Sequence, residues 1–154
     1  MINPSKFMKD FKAFINLLTE EEKMENERFI DNGDGTITDA TTYLMWTKDA
    51  NLAEYSKTYQ QALDYASNLT LCGYSDWRLP SDKELESLVD RSKFNPALPV
   101  GHSFINVREF YWSGTTCAYG PNLSWVINLW GGVVTYDVKS GFDFCYVWAV
   151  RTVK

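Results

Sequence analysis

The first stretch of the chain spaces its apolar residues three or four positions apart, as on one face of a helix. They are Phe7, Met8, Phe11, Phe14, Ile15 and Leu18. The opposite face carries Lys6, Lys9, Lys12 and Asn16. Asn3 and Pro4 are typical residues at a helix start, and Glu20 to Glu27 predicts a polar linker. Two partners remain open for the apolar face: the rest of the chain and a second subunit.

From Arg28 the pattern changes to short stretches typical of strands. Residues 28–30 and 36–38 flank the run 31–35, whose Asn-Gly and Asp-Gly pairs favour a tight hairpin. Residues 43–46 predict another strand. Helical spacing follows at Tyr59, Ala62, Leu63, Ala66 and Leu69.

A second domain helix is predicted by a capping box. In this motif the Ser81 side chain accepts from the backbone N–H of Glu84, and the Glu84 side chain accepts from that of Ser81. Before it, Trp77 and Leu79 are expected in the core, with Asp76 and Arg78 pairing with backbone groups or with each other.

The chain ends in a block of strands from about residue 111. One side of a late hairpin is predicted to carry Trp125, Ile127 and Leu129, and the other Val126, Asn128 and Trp130, before a Gly131-Gly132 turn. The order of hairpin, two helices and strands predicts an α+β domain over residues 28–154, preceded by a helix and linker over residues 1–27.

Composition narrows the classes of function. The 154 residues include 15 Lys or Arg and 20 Asp or Glu, a net charge of −5, and the basic residues form no stripe that a nucleic acid would need. No apolar run approaches the roughly 20 residues of a membrane span. The start of the chain lacks a signal-peptide pattern, which leaves open both an intracellular protein and a secreted one whose leader is missing from this sequence.

Cysteine, histidine and acidic residues predict no metal or other cofactor. Cys72, Cys117 and Cys145 are odd in number, so they do not make a full disulfide framework, and their spacing does not match a zinc site. Two interpretations remain: a disulfide between Cys117 and Cys145, or three small buried thiols. His102, the only histidine, is expected to be a solvated loop residue. The run 31–35 fails as a calcium loop in either register, because Gly or Ile falls at positions that need other residues.

Several landmarks follow the order found in one bacterial family. They are residues 28–39, 44–46, 73–80 leading into 84–88, 111–116, Trp125 with Asn128, Gly132 and Val134, and 146–147 with 150–151. Residues 28–152 thus resemble the Lcl C-terminal domain family, named after a collagen-like adhesin. The resemblance implies a C-type-lectin-like fold with two helices and short antiparallel strands, distantly akin to the formylglycine-generating enzymes, in a secreted or surface-attached protein.

The same resemblance implies sulfated polysaccharide ligands and assembly as a trimer, but two departures weaken the expectation of sulfate. Trp148 stands where members usually have Arg, and the late hairpin carries Val126, Trp130 and Val133 where members are polar. The stretch 120–122 also lacks the acid with which calcium-dependent lectins hold their cation.

The candidate binding site is an aromatic surface near the tip of the late hairpin. Its residues are Tyr119, Asn122, Val126, Asn128, Trp130, Val133, Tyr136 and Asp137. Aromatic rings stack on sugars and Asn or Asp selects hydroxyls, although the same mixture suits a protein hot spot and Trp130 can instead cover a strand or the first helix.

These residues predict a non-catalytic binding module that recognises a glycan without calcium. The alternative is a protein-interaction domain, whose partner is a surface protein or, in a homo-oligomer, another copy of the chain. A third hypothesis is an enzyme of the formylglycine-generating type that uses Cys117 and Cys145.

Overall fold

The computed structural model describes residues 3–17, 19, 28–141 and 144–154, apart from the side chain of Ile15. Leu18 and the predicted linker from Glu20 to Glu27 lie outside these residues. The helices are α1 (Pro4–Leu17), α2 (Tyr59–Asn68) and α3 (Asp82–Glu86). The strands are β1 (Phe29–Asp31), β2 (Thr36–Asp39), β3 (Leu44–Thr47), β4 (Phe110–Thr116), β5 (Leu123–Asn128), β6 (Val133–Val138) and β7 (Val150–Thr152). The predicted α+β class is confirmed.

Two antiparallel sheets make up the domain. One has the order β1-β2-β3-β7 and the other β4-β5-β6. The end of the chain connects them, because Tyr146 bridges to Tyr111 of β4 while β7 pairs with β3, Leu44 facing Thr152. The predicted strand pairing of the first and late hairpins is confirmed.

Trp148 is the centre of the main core and lies between the two sheets. It is fully buried, and its ring lies 5.2 Å from Trp46 of β3, 4.8 Å from Phe104 and 5.3 Å from Tyr111 of β4, measured between ring centroids. Its indole N–H donates to the carbonyl oxygen of Thr47 at 2.9 Å. The core therefore joins the sheets through aromatic contacts that fix their relative position.

A second core lies under α2. Ala62 and Ala66 are fully buried there, and Trp77, Trp112 and Val126 belong to the same cluster. Small residues on this helix face let it approach the flat indole rings closely. The predictions of a helix here and of a buried Trp77 are confirmed.

Polar residues around α3 pair as expected in two respects: the capping box is present, and Arg78 donates to a backbone group, the carbonyl oxygen of Leu79, at 3.3 Å. The capping box of Ser81 and Glu84 is confirmed. Asp76 and Arg78, however, do not pair with each other: Asp76 accepts from Arg151 at 2.6 Å, and Arg78 donates to Glu84 at 2.7 Å.

Helix α1 keeps its apolar face exposed. Asn3 caps it as predicted, accepting from the backbone N–H of Ser5 at 3.0 Å. The exposed side chains are Phe7, Met8, Phe11, Phe14 and Leu17. In the structure this face therefore does not pack on the domain, which was one of the two possibilities left open by the sequence.

Truncating Trp148 should destabilise the domain severely. We expect Trp148→Ala to lower the free energy of unfolding by about 3–5 kcal/mol, because it empties the junction of the two sheets. Trp148→Phe should lose less, because it keeps a ring there. Urea titration provides the measurement, with Trp130→Ala, at a 54% exposed position, as a control that changes stability by about 0.5 kcal/mol or less. Equal effects at both tryptophans would contradict this account.

The buried pair of Arg28 and Asp39 should make stability pH-dependent. Burial would raise the pKa of Asp39, but hydrogen bonds from Arg28 and Thr41 outweigh it and lower that pKa. A lowered folded-state pKa means that the stabilisation is present above about pH 4 and is lost as the pH falls through the folded value. Asp39→Asn should thus lower stability by about 3 kcal/mol at neutral pH, with the difference narrowing in acid. Urea midpoints at several pH values test this, and a constant difference would contradict it.

Candidate functional site

The predicted site residues lie along the β5–β6 hairpin and its connections, but at two separate ends. Leu123 pairs with Val138 at one end, and Asn128 with Val133 at the other. A strand rises about 3.4 Å per residue, so the ends are about 17 Å apart. One small ligand cannot contact both.

At the first end, three aromatic residues form what we call the aromatic triad: Tyr119, Trp125 and Tyr136. The centroids of their rings lie 5.7–6.1 Å apart, and each pair of rings meets at a steep angle, between 62° and 78°. Tyr119 is 76% exposed and Tyr136 48%, while Trp125 is half-buried. Edge-to-face contacts of this kind hold the rings in place before any ligand arrives.

Trp125 is the member of the triad that was not predicted as a site residue. It lies on the same side of β5 as Ile127, as expected, and Ile127 is in the core. Trp125 is two residues further from the core and directly opposite Tyr136. In the sequence, the exposure of Trp125 could therefore be inferred from its position near the strand end, but not from the alternation of residues along the strand.

A compact turn before β5 positions Tyr119. The backbone N–H of Cys117 donates to the carbonyl oxygen of Leu123 at 2.8 Å, which closes the turn. Asn122 joins the turn to the end of β6. Its backbone carbonyl accepts from the backbone N–H of Lys139 at 2.8 Å, and its side-chain amide donates to the Ser140 hydroxyl at 3.2 Å. Both polar groups lie at the same end of the hairpin as the triad.

The second end is the hairpin tip, where Trp130 and Val133 are 54% and 55% exposed. Asn128 organises this turn, since its side chain accepts from the backbone N–H of Trp130 at 2.8 Å and its carbonyl from Gly132 at 2.9 Å. The Asn128 side-chain oxygen is thus engaged in the fold. An open groove of about 440 Å³ adjoins the tip, with Arg91 on its wall.

Val126 was placed on the exposed side of the hairpin, and this was wrong. It is 2% exposed, because β5 is the central strand and Trp112 and Thr135 flank Val126 on the face that α2 covers. Asp137 lies on this same face, away from the triad. Its carboxylate is 3.8 Å from the Cys145 sulfur.

The three thiols are unbridged. Cys117 and Cys145 are buried, as one of the two open readings had it, but Cys72 is exposed. Burial first, and then the carboxylate of Asp137, raise the pKa of Cys145 to about 12. Cys145 therefore lacks the low pKa of a reactive cysteine at neutral pH.

His102 is half-buried, not solvated. Its Nδ1 accepts from the backbone N–H of Phe104 at 3.2 Å, and its ring stacks on Phe104 with centroids 5.8 Å apart. Burial lowers its pKa. His102 also borders an open groove of about 400 Å³.

The acidic residues of the first hairpin are engaged in its turn. Asp31 accepts from Lys48 at 2.7 Å and from Gly33 at 3.0 Å, and Asp34 accepts from Thr36 at 2.6 Å. The hydrogen bond from Lys48 is the main cause of the lowered pKa of Asp31. Within the ranges that the structure describes, no three His, Cys, Asp or Glu side chains come together as a metal site.

Comparison with known proteins gives one match. The family model described as the Lcl C-terminal domain matches residues 35–151. The match runs from the turn before β2 into β7. No curated protein and no solved structure matches the chain.

The hairpin tip should depend on Gly132. Its φ is +73°, and an added Cβ would lie 2.8 Å from a methyl group of Val89. We expect Gly132→Ala to lower the free energy of unfolding by about 1–3 kcal/mol, from left-handed strain and this overlap. Gly131→Ala is the matched control, because the nearest atom would lie 3.9 Å away and its φ is not left-handed. Urea titration compares the variants, and equal stabilities would show that the tip is not held at Gly132.

Proposed function

The chain belongs to the Lcl C-terminal domain family, and we propose that it is a non-catalytic module that recognises an uncharged saccharide, without calcium, at the aromatic triad. The C-type-lectin-like fold that the resemblance implies is part of this proposal.

The observation that carries the proposal is the exposed, mutually supported triad. Tyr119, Trp125 and Tyr136 pack against one another and leave ring surface open to solvent. The C–H faces of a sugar ring match such surfaces, and rings that are already fixed lose little entropy on binding. Asn122 and Ser140 offer an amide and a hydroxyl at the same end for sugar hydroxyls.

The charge around the triad favours an uncharged ligand. Leu123 and Val138, which the strand register puts beside it, are apolar. Lys139 points away, donating to Thr116 at 2.8 Å and lying 4.6 Å from the ring centroid of Tyr59. No basic group in these contacts is free to pair with sulfate, which needs Arg or Lys.

A second candidate function is a protein interface at the hairpin tip. The observation in its favour is the exposed pair of Trp130 and Val133 beside a groove with Arg91. Trp and Arg are the residue types most enriched at binding hot spots. A partner at the tip would leave the triad free.

The positions of the thiols do not support the enzyme hypothesis. It calls for a solvent-reachable cysteine pair, and both Cys117 and Cys145 are buried. The raised pKa of Cys145 also keeps it protonated at neutral pH. We therefore propose binding and not chemistry.

A panel of uncharged and sulfated polysaccharides tests the proposal, with and without EDTA. We expect saturable binding to an uncharged member that survives EDTA. The double variant Tyr119→Ala with Tyr136→Ala should weaken it about 30-fold or more, because two exposed contact rings are removed. Trp130→Ala is the matched control: an exposed aromatic of the same hairpin at the other end, whose loss should leave binding unchanged.

Other results would contradict the proposal at different points. Absence of binding across the panel would reject saccharide recognition. Binding that falls only in Trp130→Ala would move the site to the tip, and binding abolished by EDTA would reject calcium independence.

A further inference from the structure

Helix α1 presents an apolar face that no other described residue covers. Its five apolar side chains are each about half exposed or more: Phe7, Met8, Phe11, Phe14 and Leu17. The rings of Phe7 and Phe11 stack with centroids 6.3 Å apart, so the face is continuous. A helix of 14 residues is marginal in water by itself. The face therefore calls for a surface that covers it.

The polar side of the same helix is basic. Lys6, Lys9 and Lys12 are exposed, and with Asp10 they give the helix a charge of +3 − 1 = +2. Since the whole chain carries −5, the remainder carries −7. At about 100° per residue, Lys6 and Lys12 lie about 110–130° to either side of the phenylalanines, and Lys9 lies opposite them.

We propose that α1 docks on the surface of an anionic phospholipid bilayer, in the plane of the interface, with its apolar face towards the acyl chains. The ammonium groups of Lys6 and Lys12 flank that face and can reach the lipid phosphates.

The helix lies on the bilayer and does not cross it. Across the described part of the chain, no helix is long and apolar enough to span a membrane. The proposal concerns residues outside the family match and does not depend on saccharide binding.

A second copy of the chain fits this face less well. Phe7, Phe11 and Phe14 have heptad spacing, but 14 residues make only two heptads, whereas a coiled coil takes about three to four. The sequence then turns acidic at Glu20, which ends the apolar pattern. Lys6 and Lys12, which flank such a seam, would give no attraction between two copies, whereas an anionic surface attracts them.

Co-sedimentation of the full chain with vesicles tests the proposal. We expect binding to phosphatidylcholine vesicles that contain phosphatidylglycerol and not to phosphatidylcholine alone, with loss of binding as salt is raised. Phe11→Asp should abolish binding. Replacing Lys6 and Lys12 together by Gln should weaken it about 25-fold, at about fivefold for each lysine. Phe94→Asp, at a 77% exposed position in the domain, is the matched control and should bind like the parent chain.

Three results would overturn the proposal. One is no binding to the anionic vesicles, or equal binding to both kinds. Another is binding that persists in Phe11→Asp. The third is concentration-dependent association without vesicles that Phe11→Asp abolishes, which would make a second copy the occupant. Urea midpoints that match the parent chain would confirm that each variant keeps the domain folded.

Discussion

The packing of Trp148 between the two sheets is the interaction on which the rest of the structure depends. Each of its ring neighbours comes from a distant part of the chain: Trp46, Phe104 and Tyr111. Tyr111 is itself fixed, since its hydroxyl donates to the carbonyl of Ala50 at 2.9 Å and accepts from the backbone of Arg108. Through Tyr111, this packing anchors the late sheet on the first one.

The exposure of the aromatic triad is a consequence of where that core ends. Tyr111 pairs with Ile127, so the core anchors the late sheet at this point of β5. Two residues further along, Trp125 and Tyr136 lie beyond the core and retain open ring surface. On one side of β5, Ile127 is thus buried while Trp125 keeps part of its ring exposed. The core thus holds this part of the aromatic surface in place.

Local features of the fold could be read from the sequence, and long-range ones could not. The capping box of Ser81 and Glu84 depends on residues three apart, and the sequence predicted it correctly. Val126 was misjudged because its burial depends on a helix that packs over the sheet from some sixty residues away. The partner of Asp76 is Arg151, at the other end of the chain. Alternation along a strand gives the side on which a residue lies, but not what covers that side.

Trp148 also changes how the departure from the family pattern is interpreted. Judged from the sequence alone, Trp in place of Arg makes an electropositive ligand site less expected. Position 148 is fully buried, however, so the exchange alters the core and bears little on surface charge. The expectation of an uncharged ligand rests instead on residues near the triad: Asn122 and Ser140 are uncharged, and the side chain of Lys139 points away. Asn122 and Ser140 lie at the same end of the hairpin as the triad, whereas Trp148 is buried and does not reach the surface.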